Sequence, residues 1–198
     1  MKNYFFLFLF ETLVFISCGH PEQPKSEPVA TNDSADVKNY FPVEDFLRSE
    51  ISYVDSFPLR IVRYHTVGTK TDSGFIKSSD FDQMAKAFLP ADLNDSAFQK
   101  KFTESSFIDQ STHLITFTYS TKNNQSGLQR VDVMATRGMN SDKVKSIYME
   151  ILENKNDSSI IKKMYWVAKK SFDIATIMQS GEQSSLLSRT RVVWDVGE

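Results

Sequence analysis

Apolar and polar positions divide the chain into three stretches. Tyr4 to Ile16 is a nearly unbroken apolar run, interrupted only by Glu11 and Thr12. His20 to Asn39 is the reverse: Pro21, Pro24 and Pro28, several acids, Ser and Asn, with Val29 and Val37 as its only large aliphatic side chains. Such a segment cannot bury enough apolar surface to offset the entropy of ordering it, so it reads as a flexible tether. From Tyr40 onward the apolar positions become periodic. Val43, Phe46, Leu47, Ile51 and Val54 repeat at helical spacing behind Pro42, which suits a helix's first turn, and Pro58 ends the pattern. Leu59 to Val67, rich in β-branched and aromatic residues, predicts a strand, followed by a turn over Gly68 to Gly74 and a short return at Phe75 to Lys77.

Ser79 has the chemistry of an N-cap, with Asp80 and Asp82 in the first turn behind it. Phe81, Met84, Ala85 and Phe88 then form an apolar stripe that stops at Pro90, and Asn94 or Asp95 starts a second short helix carrying Phe98 and Phe102. From His113 the period changes to two. Ile115, Phe117 and Tyr119 alternate with Thr116, Thr118 and Ser120; after a turn at Asn123 to Gly127, Val131, Val133 and Ala135 do the same. Four more strands follow, carrying Ile147 and Met149, Ile160 to Trp166, Phe172 to Met178, and Val192 with Trp194. Helices that precede a meander instead of alternating with it imply an α+β fold. The expectation is a curved antiparallel sheet of about seven strands, mostly a C-terminal meander, with two or three helices on one face.

The apolar run at the start gives the chain an address. Lys2 supplies a positive n-region, the run is a short h-region, and Ser17 and Cys18 close it. That is the layout of a secretory leader, and the run is too short to span a hydrocarbon core. Phe15-Ile16-Ser17-Cys18-Gly19 resembles a lipobox, the cleavage motif of bacterial lipoprotein precursors, with Phe15 where leucine is usual. The resemblance implies removal of residues 1–17, with Cys18 as the lipid attachment residue of the mature chain. It implies a lipidated N-terminus and tether over 18–39 and a single globular domain over 40–198. Several acyl chains on one cysteine hold a protein stably, whereas one gives only marginal binding. The expected location is therefore the cell envelope, anchored to a membrane, the outer membrane being the natural one.

Charge adds an exclusion. Residues 19–58 hold eight acids and three bases, and residues 59–198 hold 16 acids and 19 bases. A body so weakly basic has no electrostatic grip on nucleic acid. With Cys18 the sole cysteine, no disulfide staples the fold, and burial alone must stabilise it.

Searching for chemistry yields little. Of the three histidines, His20 lies in the tether, and His65 and His113 lie on separate strands without the paired spacing a zinc site uses. No G-x-S-x-G, Walker A or G-x-G-x-x-G occurs, and seven glycines in 198 residues leave no phosphate-cradling loop. Asp80 and Asp82 are conceivable as an acid–base pair, but a helix's first turn favours carboxylates anyway. No catalytic residue, metal or cofactor is expected. One cluster stands out: Lys162-Lys163 and Lys169-Lys170 flank Met164-Tyr165-Trp166. It reads first as a solvated sheet edge guarded by lysines against aggregation, and secondly as a contact patch for anionic headgroups or an acidic partner. Lys163 and Tyr165 share a face opposite Trp166. The expected function is a non-enzymatic binding or assembly module with an envelope protein partner; the alternative is a carrier of an apolar ligand between sheet and helices.

Overall fold

The computed structural model describes residues 40–56, 60–93, 95–122, 125–136 and 143–194. The leader, Cys18, His20 and the tether lie outside these residues, as do Pro58, the Asn123-Asn124 turn and Arg137-Gly138. Among the described residues three α-helices, α1 (Val43–Ser56), α2 (Ser78–Ala85) and α3 (Asp95–Lys101), accompany nine strands. The strands are β1 (Ile61–Val67), β2 (Lys70–Ile76), β3 (Phe102–Asp109), β4 (Leu114–Thr121), β5 (Gly127–Thr136), β6 (Lys143–Asn154), β7 (Ser159–Val167), β8 (Ser171–Ser180) and β9 (Gln183–Val193). All pairs are antiparallel, in the order β2-β1-β9-β8-β7-β6-β5-β4-β3. The meander therefore runs unbroken from β3 to β9, and the β1–β2 hairpin docks on its last strand.

The fold is α+β and dominated by the sheet, with nine strands instead of about seven. Both surplus strands are edges. Lys70 to Gly74, read from sequence as a turn, forms most of β2, and Phe102, placed on a helix, opens β3. An edge strand buries little, so KTDSGFI and FTESSFID lack the alternation that marks an inner strand. Ser79 is not the cap of α2 either. Lys77 holds that position with extended backbone, and the Asp80 carboxylate accepts its N–H at 3.4 Å.

The core lies between the helices and one face of the sheet. Val43, Leu47 and Val54 of α1 and Phe81 and Ala85 of α2 join Met149, Met164, Trp166, Phe172 and Val192 of the strands. At its centre Phe81, Phe88, Trp166, Phe172 and Trp194 contact one another at ring-centroid distances of 5.1 to 6.3 Å. Such pairs add about 0.5–1.5 kcal/mol each beyond their burial. No cysteine is needed to close this interior. One carboxylate enters it: Glu50, on the buried stripe of α1, accepts the Trp166 indole N–H at 3.2 Å and the Lys169 backbone N–H at 2.6 Å. It fastens α1 to the β7–β8 turn, where Lys169 has φ of +59°. No described helix is long and apolar enough to cross a membrane.

Candidate functional site

Strand alternation splits the basic-aromatic cluster between the two faces. Met164 and Trp166 point into the core, and Lys162 pairs with Glu153 at 2.5 Å. The Lys169 ammonium stands 5.3 Å from the Tyr53 ring centre. Lys163 and Tyr165 point the other way, onto a face where only Ser146 is fully buried among the described strand residues of β4 to β9. The sequence separates them correctly from Trp166; it does not show what they meet.

Register supplies the neighbours. Arg191, Asp173, Tyr165, Tyr148 and Asp132 lie directly opposite one another across five consecutive strands. The next row contains Arg189, Ala175, Lys163, Glu150 and Arg130. Ala175, with its short side chain, lies between two long cations and leaves a groove of about 490 Å³, walled by Tyr165, Lys163, Asp173, Arg189, Arg191 and Leu186. Tyr165 is 42% and Leu186 50% exposed, large values for apolar surface on the middle strands of a sheet.

Most charges here are already neutralised. Arg189 donates to both Asp173 oxygens through Nε at 2.9 Å, and its Nη2 donates at 2.7 Å, a fork that fixes both side chains. Arg130 Nε does the same to Asp132 at 2.9 Å. Glu150 faces Lys163 in register, yet its carboxylate accepts the Tyr148 hydroxyl at 2.9 Å. Burial, and then that bond, push the Tyr148 hydroxyl well above the usual phenol range, so it stays a donor. Arg191 and Lys163 are left without an ion partner among the described residues, on either side of the fixed Asp173–Arg189 pair. The chemistry this permits is recognition of carboxylates by two free cations beside aromatic and aliphatic surface.

The remaining candidates do not converge. On β1, His65 has its Nδ1 2.9 Å from Thr190 Oγ1 of β9, while His113 sits in the β3–β4 turn with φ of +58°. They are six strand spacings apart in the sheet order, about 29 Å along it, and cannot share a ligand. Asp80 and Asp82 do not pair: Asp80 caps α2, and Asp82 faces Asp55 at the end of α1, where Ser78 also donates to Asp55. Among the described residues no group of three His, Cys, Asp or Glu could hold a metal. Sequence reasoning passed over Arg189, Arg191 and Asp173. The available signal was two arginines at i and i+2 around Thr190, out of phase with buried Val192, which places both on the face away from the core. Comparison with protein-family models, with curated proteins and with solved structures finds no match to the chain.

Proposed function

We propose that the chain is a lipid-anchored binding module of the cell envelope. In this reading Cys18 fixes it to a membrane, the polar segment up to residue 39 is its leash, and a curved sheet carries its helices on one face. The other face docks an acidic polypeptide partner in the Tyr165–Arg191 groove. The observation that carries the reading is the pair of cations, Lys163 and Arg191, without an ion partner among the described residues and set beside Tyr165 and Leu186 on the face away from the core. A polypeptide suits it better than a bilayer of anionic lipid. Asp173, Glu150 and Asp132 are interleaved with the cations, and lipid surfaces select clustered bases without intervening acids. Mixed charge in a fixed pattern is how protein interfaces set register and exclude wrong partners.

The test is a titration of the mature, ¹⁵N-labelled chain with polyglutamate, followed by NMR. Saturable shifts at the amides of Lys163, Tyr165, Arg189 and Arg191, lost in Lys163→Glu/Arg191→Glu, are expected. Shifts confined to other surfaces, or equal shifts in the charge-reversed variant, contradict the reading. Vesicles with anionic lipid serve as the competing probe.

The carrier reading, an apolar ligand held between sheet and helices, finds no room at the centre of that interface, because the rings of Phe81, Phe88, Trp166 and Phe172 fill it. What favours it is a cleft at the other end of the same layer, beside Tyr40.

A further inference from the structure

That cleft has chemistry the carrier reading does not anticipate. It measures about 450 Å³ and opens where the chain enters the domain, between the residues preceding α1 and strands β3 to β5. Its walls include the rings of Tyr40, Phe41, Phe98, Phe117 and Tyr119. Tyr40, Phe41 and Phe117 are only partly buried, so their surfaces remain available to a visitor. The site is held in shape by several contacts. The Tyr40 hydroxyl donates to the Phe102 carbonyl at 3.0 Å, the Phe41 backbone N–H donates to the Tyr119 hydroxyl at 3.0 Å, and the Tyr40 ring meets those of Phe98 and Tyr119 at 5.9 and 5.4 Å.

Among these rings stands one charge. Among the described residues Glu104 is the sole ionisable acid or base lining the cleft other than the tyrosines, and no cation pairs with it. Its neighbour in register is Tyr119, whose hydroxyl is raised by burial and also by the Glu104 charge. An anionic ligand would be repelled here. A neutral apolar one would strip water from a carboxylate and give it nothing in return. A cation supplies the counter-charge, and ring faces attract cations through their quadrupoles.

We propose that the cleft at the Tyr40 end binds a small organic cation, an ammonium group carried on an apolar body, with Glu104 as its counter-ion and the Tyr40, Phe41 and Phe117 rings as its cage. The volume lies within the range of ligand sites and exceeds what the ammonium group alone fills, so the apolar body occupies the rest. The site is on the helix-bearing side of the sheet and is independent of the open-face groove.

The experiment compares choline with its uncharged isostere 3,3-dimethylbutan-1-ol, each titrated into the mature chain and followed by NMR of Phe117, Tyr119 and Glu104. Choline should give saturable shifts at these residues and bind at least about tenfold tighter than the alcohol, the scale of one desolvated cation–π contact with its counter-ion. Glu104→Gln should abolish the preference for choline, with the alcohol binding as well as before or better, since no carboxylate is left to desolvate. Equal binding of the two probes to the wild-type chain overturns the proposal in favour of a plain apolar site, and the absence of saturable shifts with either overturns it outright. The wild-type comparison decides even should Glu104→Gln fail to fold.

Discussion

Glu50 is the residue whose removal has the most calculable effect. Its Oε2 accepts two buried donors, the Trp166 indole N–H and the Lys169 backbone N–H, while Trp166 itself is fully buried. Glu50→Ala leaves both donors unsatisfied, at about 1–3 kcal/mol each, and relieves part of that by removing a carboxylate from a site with little access to water. The net expectation is about 3 kcal/mol of destabilisation, or a fall in Tm of about 6–12 °C for a domain of this size. Glu50→Gln is the control, because its amide oxygen can accept both N–H groups; its cost should stay within about 1 kcal/mol. Trp166→Phe in the Glu50→Ala background removes one stranded donor and should cost less than the sum of the single changes. The assay is urea and thermal unfolding of the chain. If Glu50→Ala costs less than about 1 kcal/mol, or if Gln is as damaging as Ala, the fastening of α1 to the β7–β8 turn does not work as described.

Other consequences follow from individual contacts. Asp82 is raised by burial first and then by the Asp55 carboxylate beside it. A carboxyl with a raised folded-state pKa contributes stability that is complete below about pH 4 and is lost as pH rises through the folded value. Asp82→Asn should therefore stabilise the fold at neutral pH by a few tenths to about 1 kcal/mol, Asp55 being exposed, which is read as a higher Tm, and should flatten the decline above pH 4; a lower Tm at pH 7 contradicts this. Gly127 has φ of +125°, and a Cβ there would sit 2.8 Å from Asp92 Oδ2, which accepts the Leu128 N–H at 3.2 Å. Gly127→Ala should cost about 1–3 kcal/mol in urea unfolding, and a neutral result removes the strain argument. Cys18→Ala should accumulate the uncleaved, unacylated precursor, visible as added leader mass in intact-protein mass spectrometry.

How much was legible follows from where each residue lies. The strands from β4 to β8 announce themselves through apolar residues that alternate toward one dry face, whereas β9 shows itself only at its end, where Val192 is buried. α1 was legible for the same reason at helical spacing, except at Glu50, which occupies a position of the apolar stripe that sequence alone gives no reason to bury. Of the edges, β2 was legible only at its end, Phe75 and Ile76, and β3 not at all, since Thr71 to Gly74 and Thr103 to Ser106 carry no burial requirement to shape them. The groove was half legible. Lys163 and Tyr165 follow from alternation within one strand, whereas the arginines opposite depend on the pairing of β7, β8 and β9, which no local pattern contains. Glu104 was hidden inside a strand that was not recognised, and the cleft was hidden with it.

The most direct test of the binding reading is site-specific photocrosslinking in the intact cell envelope, with the crosslinking residue placed at Leu186 beside the groove and, as reference, at exposed Phe107 on the far edge strand β3. The account predicts a discrete crosslinked polypeptide at Leu186 that disappears in Lys163→Glu/Arg191→Glu and weakens as salt is raised, with no such product at Phe107. An identical product at both positions, or one at Leu186 indifferent to charge reversal and to salt, contradicts it.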